Sequence, residues 1–220
     1  MRCTEITAVF QESDRTVNEH QLRTLRHVCH AGMEHAAATL SRLVGEAVVP
    51  GDTRIFHADR PVSPRFIGNR ESMVTGISFL MHGSVQGRLL MVIPLESTGL
   101  ILGKLLHRTD PPASPLSEIE RSAIMEVGNI FASACVDKLG ESLRMTLVPS
   151  PPLLAIAPYG DVIRHFLADS GAAGMPERMS ETDICSEDER FGFQCLFVPA
   201  PSSMDQVFTA LEAAEGRPGR

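Results

Sequence analysis

No two cysteines of this sequence stand in a CxxC pair, and no stretch approaches the roughly 20 apolar residues of a membrane span. Cys3, Cys29, Cys135, Cys185 and Cys195 are scattered, three of them inside otherwise apolar stretches, which fits reduced, buried thiols in a cytosol. Clustered lysine and arginine are missing too. A net charge of −7 and a pI near 5.6 argue against a nucleic-acid surface or an anionic membrane, and leave proteins or small molecules as partners. The first residues, MRCTEITAVFQESDR, carry acids where a signal peptide needs an apolar run, so a cytoplasmic location is expected. Walker A, GxSxG and HExxH strings are absent, which removes the commonest signals for a phosphate loop, a serine nucleophile and a zinc protease. What is present is enough apolar material for a sizeable core: 43% of 220 residues.

The chain repeats itself. LRHVCHAGMEHAAATLSRLVGEAVVP (25–50) and IMEVGNIFASACVDKLGESLRMTLVP (124–149) match without a gap, with Val28 on Val127, Leu40 on Leu139 and Pro50 on Pro149. GRLLMVIP (87–94) likewise matches GFQCLFVP (192–199), and an apolar-periodic run follows each. Two blocks recurring in the same order at similar spacing mark a duplicated unit. Capping boxes at Thr16/Glu19 and Ser117/Glu120 open long helical patterns, about 18–45 and 118–141. Strand signals follow in VVPGDTRIFH and RMTLVPS. Hairpins follow in SMVTGISFLMHG with GRLLMVIP, and in SETDICSEDERFGFQCLFVPA. The expectation is an α+β fold with pseudo-twofold symmetry, two long helices lying on the surface of a shared antiparallel sheet. One unit spanning 1–220 is expected, with half one at about 18–107, a linker at 108–117, half two at about 118–213 and a frayed tail at 214–220.

The second long helix carries the unusual chemistry. Ser122, Glu126, Asn129 and Ser133 fall on one polar stripe, while Ile119, Ala123, Val127, Ile130 and Ala134 form another, which is read as the core face. Gly128 in mid-helix costs about 1 kcal/mol relative to Ala, a cost that close access to the polar stripe would explain. Polar residues on the outer face of a helix are nevertheless the default, so the pair alone does not mark a site.

Ser122, Glu126, Asn129 and Pro152 fit the pattern Asp/Ser-x-x-x-Glu-x-x-Asn, twenty-two residues, Pro, and EVGNI (126–130) resembles the core string of that motif. In this the chain resembles the CheC/CheX/FliY phosphatases of chemotaxis, and its duplicated layout is most similar to CheC. The resemblance implies hydrolysis of the aspartyl phosphate of a CheY-type receiver domain. Asn129 would orient the attacking water and Glu126 would dock a receiver lysine, with Ser122, Gly128 and Pro152 supporting them. It implies no cofactor bound by this chain, since Mg²⁺ is expected in the receiver. An alternative is a non-catalytic interaction module that binds a receiver, CheD or the flagellar switch. The presumed CheD segment, here LLAIAPYGDVIRHFL, lacks the acid expected soon after the prolines, which counts against CheD.

The first repeat departs from the motif, with His27 and His30 at the positions of the pair, so one active centre is expected and the first site is degenerate. An imidazole cannot copy an amide's simultaneous donor and acceptor geometry. His27, Cys29, His30, Glu34 and His35 raise the question of a metal, but ligands on one helix surround an ion poorly, and surface histidines are the default. Of the arginines in the loop before the first hairpin, Arg60, Arg65 and Arg70 could meet an acidic receiver. The acidic ETDICSEDER (181–190) reads as a solvated connection.

Overall fold

The computed structural model describes residues 19–57, 64–109, 115–168 and 178–215. The long patterns form helices α1 (Glu19–Val44) and α3 (Glu118–Leu143). At the start of α3 the Ser117 hydroxyl accepts from the Glu120 N–H and the Glu120 carboxylate accepts from the Ser117 N–H at 2.8 Å, so the expected capping box is formed. Glu120 is fully buried and its charge is met by Arg108 at 2.5 Å. Thr16, of the other expected box, lies outside the described residues. Arg144, with φ 54°, ends α3 in the left-handed conformation.

Strands β1 (Val48–Pro50), β2 (Arg54–Phe56), β3 (Met73–Gly83) and β4 (Gly87–Pro94) follow α1, and α2 (Leu95–Leu105) closes the first half. The second half gives β5 (Leu147–Pro149), β6 (Leu153–Pro158), α4 (Tyr159–Ala168), β7 (Met179–Ser186), β8 (Gly192–Pro199) and α5 (Pro201–Glu215). All eight strands join one antiparallel sheet in the order β1-β7-β8-β4-β3-β5, with β2 also on β7 and β6 also on β3. Each half therefore hands its first two strands to the hairpin of the other. In the central ladder Leu90 faces Leu196 and Met91 faces Cys195, pairs that the repeat exchanges, so the pseudo-twofold axis passes between them.

Both faces of the sheet are covered. On one, α1 and α3 lie side by side over a core that includes Phe79, Met91, Phe131, Phe193 and Leu139. Phe131 and Phe193 meet edge to face at 5.5 Å, which ties α3 to β8 and adds about 0.5–1.5 kcal/mol to the burial of their area. On the other face, Tyr159, Val162 and Phe166 of α4 pack on Val74, Leu90, Val92 and Leu196. Among the described residues no helix is long and apolar enough to cross a membrane. Cys29, Cys135, Cys185 and Cys195 are free thiols buried in the molecule. Burial pushes the Cys29 thiol up to about 12.

Three expectations need correction. The buried face of α3 runs through Ile124, Val127, Gly128, Phe131, Cys135 and Leu139, while Ile119 is 71% exposed. The helix packs on α1 as well as the sheet, so its buried arc is wider than the expected stripe, of which Val127 and Ala134 are buried and Ala123 and Ile130 partly so. The acidic stretch 181–190 is mostly strand β7, and Glu181 is 3% exposed. Its burial is made tolerable by Arg54 at 2.9 Å and by Gln194, whose Nε2 donates to the carboxylate. Finally, LLAIAPYGDVIRHFL, given no element from sequence, forms β6 and α4.

Candidate functional site

The loop after β5 is pinned to the sheet. The Ser150 N–H donates to the Leu80 carbonyl at 2.8 Å, and the Ser150 hydroxyl accepts from the Leu80 N–H at 3.0 Å. This holds Pro151 and Pro152 against the exposed flank of α3 and opens a groove of about 680 Å³. Ser122, Glu126, Asn129 and Pro152, chosen from the sequence, all line it, joined by Glu118, Arg121, Met125 and Ser150. Glu126 and Asn129 are one turn apart, so their side chains leave the helix on the same side with Cβ atoms about 5–6 Å apart.

Neither the Glu126 carboxylate nor the Asn129 amide has a hydrogen-bond or ion-pair partner among the described residues. Glu126 is exposed and Asn129 half-buried. The arrangement offers one anionic acceptor and one amide able to donate and accept, both unspent and side by side at the rim of an open groove. Its hydroxyls are those of Ser122 and Ser150, and that of Ser150 donates to the Pro151 carbonyl at 2.9 Å.

Gly128 does not belong to this surface. It is buried on the opposite side of α3, where an added Cβ would come within 2.8 Å of Ile77 Cγ2 and 3.1 Å of its Cδ1. The glycine lets the helix sit down on β3, and its mid-helix cost answers to packing against the sheet instead of access for a partner. Gly32 does the same between the long helices, where a Cβ would meet Cys135 Sγ and Leu139 Cγ at 3.2 Å.

His27 and His30 line a second groove, of about 1110 Å³, on α1. It is the first groove over again: Arg23, Arg26, His27 and His30 stand where Ser122, Met125, Glu126 and Asn129 stand in the second half. Gly51, Asp52 and Thr53 likewise replace Ser150, Pro151 and Pro152. Even the anchor recurs, with the Gly51 N–H on the Asp183 carbonyl at 2.8 Å. His30 Nδ1 lies 3.1 Å from the buried Thr53 hydroxyl, which lies 2.8 Å from that of Thr182. His30 is thus partly committed where Asn129 is free. Glu34 Oε1 is 3.7 Å from His30 Nε2, His35 is exposed, and Cys29 is buried in the core beside Ser180. Among the described residues no group of three or more His, Cys, Asp or Glu is arranged to hold a metal. Of the three loop arginines, Arg65 lines this groove, Arg70 packs by Gly160, and Arg60 lies outside the described residues.

Sequence reasoning missed Arg121 and Met125 in one groove and Arg23, Arg26 and Thr53 in the other. The signal was available: Arg121 and Met125 precede Ser122 and Glu126 by one residue, and the repeat carries groove residues across at a constant spacing.

No protein-family model matches the chain. The CheY-P phosphatase CheC of Bacillus subtilis is 25% identical over 205 residues, which cover 90% of this chain and 97% of that protein. Among solved structures, FliY of Thermotoga maritima superposes with a TM-score of 0.67 at 16% identity, over 92% of this chain and all of that one. The CheX–CheY–BeF₃–Mg²⁺ complex of Borrelia burgdorferi gives 0.52 at 14% identity, over 77% of this chain and 95% of that one. With the motif groove, the duplicated sheet and a relative matched over nearly its whole length, the chain is similar in sequence to CheC and shares the fold of FliY and CheX.

Proposed function

We propose that the chain is a phosphatase that hydrolyses the aspartyl phosphate of a CheY-type response regulator, with one active centre on α3. The observation that carries this reading is the unspent pair, Glu126 and Asn129, side by side in an open groove whose other wall is Pro151 and Pro152. The relative named CheY-P phosphatase supports the reaction, and the neighbour solved as a complex with CheY supports the partner.

An acyl phosphate held by a receiver domain needs little from a second protein beyond a water aligned with the leaving oxygen. Positioning and electrostatics supply most of the acceleration in phosphoryl transfer. The Asn129 amide accepts from the water and donates to it or to the phosphoryl group, without having to ionise. The Glu126 carboxylate pairs with a receiver lysine and sets the angle at which α3 approaches, while Mg²⁺ belongs to the receiver. Ser122 stands at the edge of the stripe and supports it. The first-half groove takes no part, because His27 supplies no negative charge for a lysine and His30 no amide.

Single-turnover dephosphorylation of the cognate receiver tests each role. Asn129→Ala is expected to slow hydrolysis ~100-fold or more while the receiver still binds, since the lost interaction belongs to the transition state. Glu126→Ala is expected to weaken binding and turnover together. The double change His27→Ala/His30→Ala is expected to leave the rate nearly unaltered. Wild-type rates from Asn129→Ala would refute the mechanism and leave a binding module without catalysis as the better reading.

A further inference from the structure

The duplicated groove on α1 has kept its shape and changed its charge. Where the groove on α3 carries Glu118 and Glu126 beside Arg121, its counterpart presents Arg23, Arg26 and His27, all exposed. The carboxylates of that groove are largely answered from within. Arg54 lies 2.9 Å from Glu181 and 3.9 Å from Asp183, and Arg65 is held by both oxygens of Glu189 at 2.8 and 2.9 Å. Arg23 and Arg26 have no such partner among the described residues, and the one exposed acid of the lining is Asp52. In a protein of net charge −7, two guanidinium groups uncommitted among the described residues, on one helix face, form a local reversal of sign.

We propose that this groove binds an acidic peptide segment, with its carboxylates held by Arg23 and Arg26 and an apolar side chain resting on Ile55. Several observations favour a peptide over a single small anion. The groove, at about 1110 Å³, is far larger than one oxyanion requires. Its two guanidinium groups, without a partner among the described residues, stand three residues apart on α1, about 5–6 Å at Cβ, so they can hold two carboxylates of one segment at once. Ile55, half-buried in the lining and on the α1 side of the sheet, gives an apolar contact that a bare anion cannot use. Guanidinium groups pair with carboxylates through two parallel hydrogen bonds, which sets direction as well as attraction.

The test is fluorescence anisotropy of a short labelled peptide rich in Glu and Leu, titrated with the full chain, with the Gln-for-Glu peptide as control. Saturable binding is expected for the Glu peptide only. It should weaken about tenfold in Arg23→Glu/Arg26→Glu, and should also weaken as salt is raised. Both arginines are exposed, so the double variant should keep the wild-type circular dichroism, and Arg23→Gln gives a milder second reading in the same direction. Asn129→Ala should bind the peptide as the wild type does, which separates this site from the phosphatase centre. Absence of saturable binding, equal binding by the Arg23→Glu/Arg26→Glu variant, or displacement of the peptide by inorganic phosphate at comparable concentration would overturn the proposal.

Discussion

Glu181 is a carboxylate taken almost wholly out of water, and burial raises its protonation range above the ordinary value of 4.5 even though Arg54 pulls the other way. Asp183 behaves likewise, its range raised by burial against the pull of Arg54. A group that holds its proton more tightly folded than unfolded favours the folded state most below its ordinary range. That advantage is lost as pH rises from about 4.5 through the raised value. Glu181→Gln keeps an acceptor for Gln194 and has no proton to lose. In urea titrations across this range the wild type should lose stability relative to Glu181→Gln as pH increases; parallel curves would mean that the carboxylate titrates as it does unfolded. None of this was legible in the sequence, where Glu181 stands in an acidic run that reads as solvated, because its burial depends on Arg54 and Gln194 arriving from other strands. The motif residues were legible for the opposite reason, since Ser122, Glu126 and Asn129 belong to one helix, and helical spacing alone puts them on one face.

Within α3, one residue separates two explanations that the sequence could not. Gly128 flanks Asn129, so proximity along the chain suggested access to the polar stripe, yet the turn of the helix carries it to the far side, against Ile77. Gly128→Ala should gain about 1 kcal/mol of helix propensity and lose about 1–3 kcal/mol to overpacking. A net fall in the denaturation midpoint is expected, and a larger fall for Gly128→Val. Stabilisation by alanine would show that the helix has room to spare above the sheet. The long helices and the four strands of the two hairpins were readable because their periods are long and their caps are local. β6 and α4 were not, since Pro158 and Gly160 mark a break without fixing what lies on either side, and the two elements take their form from pairing with β3 and from packing on the second face of the sheet.

The two halves cannot complete a sheet separately. Among the described residues β1 and β2 pair with β7, and β5 and β6 with β3, while the central ladder joins β4 to β8. We therefore expect residues 18–107 or 118–213, expressed alone, to give no cooperative urea transition, and the two mixed to regain one. A half that unfolds cooperatively by itself would show that its own strands suffice.

This exchange of strands gives the chain the layout of a twofold dimer with its subunits joined end to end. In a dimer of identical subunits every substitution is made twice, and a change that suits one surface is imposed on its mate. Covalent joining removes that constraint. A single polypeptide holds both copies of the groove at a fixed one-to-one ratio, whatever its concentration, and each copy is free to take a different charge. Arg23 and Arg26 in one groove and Glu126 and Asn129 in the other are the visible product of that freedom, two unlike surfaces carried by one symmetric frame.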